Sequence, residues 1–378
     1  MIYIVGVIIT FFLAFILLSK SNKTNADKVL FFWLIGIGIN LSLYYLIFSE
    51  KYWQYPYLLG FSLPLPLIHG PFLYLYTASA TNQLKKWKIE LLHFLPVIIS
   101  FFSLFNFLQL PNETKILVFK NEGRGYETLL IFTLIAIICS GIIYVIWSLL
   151  LLKKHKKNIL NQFSYSEKIN LAWLRYLIYG IGLIWIFIIL GNDKLIYSVV
   201  VLFVIFIGYF GINQVGIFTK KNQLIDNKSI IQNEINQPFD DEIIKENKPS
   251  KYLKSGLNQE AAFEIYEVLK TRMTKEQLYV NSELTLVELA QILDVYPNNL
   301  SQVINTFEQK NFYDYINTKR VELFLKLVAI PENKKYTILS LAFECGFNSK
   351  SSFNKYFKKV TNMTPSEYLN LLKERTAF

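Results

Sequence analysis

The chain of 378 residues is 53% hydrophobic and 16% aromatic, with a formal net charge of +11 and a positive mean hydropathy. So large an apolar excess argues against an ordinary soluble protein, and the length leaves room for two or three domains. The charge says little by itself: residues 1–218 hold 17 basic and 8 acidic residues and residues 219–378 hold 22 and 20, so most of the excess lies among apolar runs.

Seven such runs come first in the chain, at 2–18, 29–48, 57–78, 90–109, 129–152, 171–190 and 194–213. Each is close to the ~17 to 25 residues that cross a ~30 Å hydrocarbon core. A run such as LLIFTLIAIICSGIIYVIWSLLLL lacks the polar face at helical spacing that a helix on a soluble core would show. No basic residue precedes the first run and no small-residue cleavage site follows it, so it is expected to stay in the mature protein. Lys20, Lys23, Lys28, Lys85, Lys86, Lys88, Lys153, Lys154, Lys156, Lys157 and Lys168 fall on one side of the spans; Lys51, Lys115, Lys120, Arg124 and Lys194 fall on the other. The positive-inside rule then places the N-terminus outside and everything after about residue 214 in the cytoplasm. Lys153, Lys154, Lys156 and Lys157 could also meet anionic lipid headgroups, although topogenic charge needs no further role.

The spans carry no Walker loop, HExxH or GxSxG motif, so no enzyme activity, cofactor or metal is expected. The third span reads GFSLPLPLIHGPFLYLY. Its prolines, Pro64, Pro66 and Pro71, free backbone carbonyls, and His69 falls near mid-membrane. Intramembrane ionisable groups are candidate functional sites, so His69, with Asn40 in span two and His93 at the start of span four, forms the candidate ligand site. The simpler alternative is that His69 satisfies a carbonyl the prolines release. Cys139, in the fifth span, and Cys345 are expected in different compartments; neither has a metal-ligand neighbour, and both are expected to be core residues.

Residues 219–250 turn polar and aperiodic and are expected to form a linker, with an r.m.s. span of roughly 30 to 35 Å if it is coil. Residues 258–378 have a helical pattern. In YTILSLAFECGF, Ile338, Leu341, Ala342 and Cys345 form one apolar stripe that stops at Gly346. Beyond the turn, Phe353, Tyr356, Phe357 and Val360 repeat the spacing, and Ser351, Asn354, Lys355 and Lys358 make the opposite polar face. Two short helices joined by a glycine turn describe a helix-turn-helix. Thr364, Pro365 and Glu367 then spell the start of a further helix with a capping box. LTLVELAQILDVYPNNLSQVINTF, upstream, is a second copy. Thr285 and Glu288 form its capping box, Asp294 stands where the other copy has Gly346, and Leu300, Val303, Ile304 and Phe307 match the inner stripe. Asn298, Asn299, Ser301, Gln302 and Asn305 supply its outer face. NFYDYINTKRVELFLKLV can join the copies as one helix.

The stretch from about 251 to 370 resembles the AraC/XylS family of bacterial transcription regulators, and GFNSKSSFNKYFKKVTNMTPSEY is similar to that family's C-terminal signature. The resemblance implies double-stranded DNA as partner, with both recognition helices in successive major grooves and half-sites about one turn, ~34 Å, apart. Asp294 departs from the small turn residue common in the family. The first copy also carries no Lys or Arg over residues 282–305, whereas residues 333–378 hold eight basic and three acidic residues. A division of labour follows. The second copy, with Lys350, Lys355 and Lys358, supplies electrostatic affinity, Lys355 facing guanine O6 and N7 or a phosphate and Lys358 and Lys359 the DNA backbone, and the amides of the first are suited to base edges; alternatively the first copy is mainly a scaffold.

The expected protein is all-α: a seven-span polytopic bundle over 1–218, a linker over 219–250, and a DNA-binding domain over 251–378 with helix-turn-helix units at about 282–307 and 336–360. It would be a transcription regulator in the cytoplasmic membrane, in contact with lipid, open to a small-molecule or lipid signal and to homodimerisation. A transporter or membrane enzyme with a DNA-binding regulatory tail is the rival expectation, and a bundle that is a mere tether is a third.

Overall fold

The computed structural model describes residues 2–165, 171–213 and 257–376, so the expected linker at 219–250 and Lys168 lie outside the described residues. The chain is all-α, with no strand among the described residues. It divides into two compact units. One comprises Met1–Lys153 and Leu171–Phe239, the other Lys154–Asn170 and Asp240–Phe378.

The first unit holds α1 (Ile2–Ser19), α2 (Asn25–Phe48), α3 (Pro66–Ala80), α4 (Trp87–Glu90), α5 (Leu95–Ser103), α6 (Phe105–Leu108), α7 (Asn112–Lys120), most of α8 (Glu127–Gln162), α9 (Ala172–Leu190) and α10 (Asp193–Asn213). A capping box starts α2: the Thr24 hydroxyl accepts from Asp27 N–H and the Asp27 carboxylate accepts from Thr24 N–H. That carboxylate also pairs with Lys20 at 2.7 Å in a buried ion pair, which closes the turn after α1. Trp33, Leu34 and Leu41 of α2 are fully buried in a core with Leu73, Leu174, Ile178, Val201 and Val204. At Gly141 of α8 there is no room for a Cβ, because the Trp185 indole lies against it and donates to the Ile137 carbonyl at 2.9 Å.

Five helices among the described residues are long and apolar enough to cross a membrane: α1, α2, α8, α9 and α10. The runs at 57–78 and 90–109 are interrupted instead. The first becomes short turns before α3, in which Leu59, Phe61 and Leu63 donate three residues back. The second breaks into a 3-10 turn, α5 and α6. Pro64 and Pro66 have no amide hydrogen to continue a ladder into α3, and Pro96 sits in the first turn of α5, whereas the break between α5 and α6 at Leu104 has no proline beside it. Large apolar side chains, among them Phe12, Phe15, Phe102, Phe132 and Leu190, cover the outside of the unit. Cys139 faces outward with them and not into the core as the sequence suggested. An outward apolar residue is as regular as an inward one where the surroundings are apolar, so hydropathy cannot tell the two apart.

The second unit contains α11 (Gln259–Glu276), α12 (Leu286–Ile292), α13 (Pro297–Phe307), α14 (Phe312–Val328), α15 (Ile338–Glu344), α16 (Lys350–Thr361) and α17 (Pro365–Thr376), together with residues 154–165. Two apolar clusters share α14. Leu286, Leu289, Leu300 and Ile304 pack with Phe312, Tyr315 and Ile316. Leu341, Cys345, Phe353 and Phe357 pack with Tyr313, Val321 and Phe324. One helix therefore supplies a wall to each half.

Candidate nucleic-acid interface

Each half of the second unit is a helix pair bent at a left-handed residue. In the first, α12 begins at the Thr285–Glu288 capping box and ends before Asp294, whose φ is 53°. In the second, α15 is capped by Thr337 and ends before Gly346, whose φ is 93°. Both turns have the same hand, which Asp tolerates and Gly adopts freely. Gly346 is needed for a second reason: a Cβ there would lie 2.6 Å from the Val280 carbonyl oxygen and 2.7 Å from that of Tyr279. The turn of the second half thus abuts the backbone of the first.

The recognition helices α13 and α16 are two-faced as their periodicity requires. Leu300, Val303 and Ile304 point inward, as do Phe353, Tyr356 and Phe357. On α13, Asn298 and Asn305 are exposed and Asn299, Ser301 and Gln302 half-buried. The Asn305 amide donates to the Ser301 carbonyl at 2.8 Å, so part of its hydrogen-bonding capacity is used within the helix. On α16, Lys350, Ser351, Asn354, Lys355 and Lys358 are all exposed. Ser349 caps this helix by accepting from Ser352 N–H at 3.1 Å, which leaves Lys350 and Ser351 in its first turn.

Lys359 is different from its neighbours. It pairs with Asp314 of α14 at 2.9 Å, and the same carboxylate accepts from the Tyr356 hydroxyl. Burial first, and the Asp314 bond second, raise the Tyr356 phenol above its ordinary value, so it stays protonated and donating. α16 is thereby pinned to α14. The Thr364–Glu367 box forms as well, with Glu367 accepting from Thr364 N–H at 2.7 Å; that bond holds the carboxyl below its usual range. Burial pushes the Cys345 thiol up to about 12, as suits an inert core residue. Sequence reasoning missed Asp314, whose only signal was a lone acid near the start of an otherwise amphipathic helix. Tyr296, immediately before α13, is 79% exposed.

Residues 289–370 match a helix-turn-helix domain family. This is an AraC-type helix-turn-helix domain. An uncharacterized HTH-type transcriptional regulator of Staphylococcus aureus is 31% identical over 93 residues, which are 24% of this chain and 12% of that protein. Histidine kinase P4 of Formosa agariphila is 24% identical over 148 residues, 39% of this chain and 10% of that protein. The chain thus covers only about a tenth of the length of these curated relatives. No solved structure matches.

In the first unit the candidate ligand residues separate. His69 and Asn40 come together: Trp33 Nε1 donates to His69 Nδ1 at 3.3 Å, Asn40 lies 3.2 Å from His69 Nε2, and the Tyr197 hydroxyl is 3.3 Å from Asn40. Trp33 can only donate, so Nδ1 carries no proton and Nε2 does. Two donors cannot share one hydrogen, so the network closes with the Asn40 amide oxygen toward Nε2 and its nitrogen toward Tyr197. His93 belongs elsewhere, 2.9 Å from the Tyr144 hydroxyl and 3.2 Å from buried Glu90. Trp33 and Tyr197 were not legible as partners, because only packing across helices brings them to His69 and Asn40; Glu90, three residues before His93, was within local reach and was overlooked.

Proposed function

We propose that the protein is a one-component transcription regulator embedded in the cytoplasmic membrane. In this reading residues 1–218 are the membrane domain, except for the end of α8 from residue 154, which groups with the second unit; 219–250 are the linker and 251–378 the cytoplasmic DNA-binding domain, with the N-terminus outside. The observation that carries the DNA-binding part is the pair of helix-turn-helix units with polar outer faces, the first partly exposed and the second exposed throughout and bearing Lys350, Lys355 and Lys358. Lysines there supply sequence-independent hold on phosphate, and the amides of α13 suit base edges. The long apolar helices and the apolar exterior of the first unit support the membrane part. The closed His69–Asn40–Trp33–Tyr197 network is where a small-molecule or lipid signal could act, by replacing one partner of a set that is otherwise satisfied. No catalytic role is assigned.

Selection of duplexes from a random-sequence library by the full-length protein in lipid nanodiscs tests the reading. The expected result is a motif of two half-sites with centres about 10 base pairs apart. Recovery of unselected DNA would sink it.

A further inference from the structure

Arg320 of α14 is 1% exposed, and all five of its N–H groups are used. Nε donates to the Tyr279 carbonyl at 2.7 Å, and Nη2 to the Asn281 carbonyl at 2.8 Å. Nη1 donates to Asn317 Oδ1 at 3.2 Å. The remaining two acceptors come from a residue more than 150 positions away: Nη1 donates to the Ser164 carbonyl and Nη2 to the Ser164 hydroxyl, each at 3.1 Å. Asn317 donates to the same carbonyl at 3.1 Å.

Ser164 is held on its other side too. Its N–H donates to the Leu284 carbonyl at 3.1 Å, and Phe163 forms an antiparallel bridge with Thr285, the cap of α12. Leu160 packs against the core of the other half. The Arg320 guanidinium also lies 5.9 Å from the Phe347 ring of that half. The segment 159–165 therefore touches both helix-turn-helix halves at their junction and completes the hydrogen bonding of a buried cation. Without it Arg320 would keep three acceptors for five donors, a state that a buried charge tolerates poorly.

We propose that residues 159–165 are a docked clamp that sets the relative orientation of the two helix-turn-helix units, and with it the half-site spacing the protein accepts. The proposal rests on the DNA-binding reading above. The segment is a clamp and not a plug: with it seated, Asn298, Asn305, Lys350, Ser351, Asn354, Lys355 and Lys358 remain exposed. Residues 154–162 are also the last turns of α8, whose earlier turns belong to the first unit, so the clamp is covalently continuous with the apolar helices. A change in those helices has a route to the recognition helices that does not pass through residues 219–250.

Two measurements on the full chain in lipid nanodiscs test this. In Phe163→Cys/Thr285→Cys, the Cα separation of about 4.5 to 5.5 Å across an antiparallel bridge suits a disulfide. Peptide mapping without reductant should find the cross-link, and its absence overturns the docking whatever the protein does with DNA. The second uses Ser164→Trp, which cannot fit a site where the serine is 1% exposed and which lies outside the helix-turn-helix fold itself. On the duplex selected by the wild-type protein, this variant should bind about tenfold more weakly; on a duplex with one half-site scrambled it should stay within about twofold. It should also discriminate less against a five-base-pair insertion, about half a helical turn, between half-sites. Wild-type affinity and spacing preference in Ser164→Trp would overturn the clamp. So would a cross-linked protein that no longer binds the two-half-site duplex. If the wild-type protein selects no duplex, the DNA-binding reading fails and the spacing role falls with it, while the cross-link still reports separately on docking.

Discussion

On the proposed reading, single side chains on α13 and α16 should divide between affinity and specificity according to their charge. Lys358 is exposed on the polar face of α16 and can meet a phosphate, whereas Lys359 is engaged by Asp314. Lys358→Ala should therefore weaken binding to all duplexes alike and reduce the salt slope by about one unit. Gln302 is half-buried on a helix pair with no basic residue, so it adds little general hold. If it meets a base, Gln302→Ala costs about 1 to 3 kcal/mol on the selected duplex only and relaxes one or two positions of that half-site. Binding titrations at several salt concentrations, with a repeat of the library selection on both variants, check this. An unchanged motif in Gln302→Ala would make the first half a scaffold, and a sharp change at one position in Lys358→Ala would mean that lysine faces bases.

At the scale of the element, the two turns look alike in hand and differ in what surrounds them. Gly346 combines a positive φ with backbone carbonyls too close for any side chain. Gly346→Ala should thus incur the left-handed penalty of roughly 1 to 2 kcal/mol and in addition force the second half away from Val280. Asp294 has a positive φ of 53° and is exposed, so Asp294→Gly should be neutral or slightly stabilising as strain is relieved. Limited proteolysis of the second unit across a temperature series reads both. The expected order is Gly346→Ala cut at the lowest temperature, and Asp294→Gly no sooner than wild type. Equal behaviour of the two variants would mean that the close approach at Gly346 carries no weight.

Across the whole molecule, the lysine asymmetry between the apolar runs predicts one orientation. A reporter fused after residue 220 should be active when it is a protein that works only in the cytoplasm and silent when it works only in the periplasm. A periplasmic signal would put the DNA-binding domain on the wrong side of the membrane and overturn the proposed function. The same fusion tests whether the interrupted runs at 57–78 and 90–109 count as crossings, since dropping one of the two, and not the other, reverses the expected side.

Local regularities were readable from the chain alone. The all-α class, the two helix pairs, the capping boxes at Thr285 and Thr364 and most of the inward stripes of α13 and α16 follow from spacing within about ten residues, because helix periodicity and capping are set by near neighbours; Phe307 and Val360, expected at the ends of those stripes, are exposed instead. The apolar runs were readable too, but not their continuity, which fails in two of them. Only the tertiary structure decided which distant groups meet. It joined His69 to Trp33 and, through Asn40, to Tyr197, left His93 with Tyr144, turned Cys139 outward, gave Lys359 to Asp314, and brought Ser164 to Arg320. Nothing in the text around Ser164 marks it as the missing acceptor of a guanidinium 156 residues later. A buried cation must complete its hydrogen bonds from whatever packing places beside it, and that neighbourhood exists only once the chain has folded.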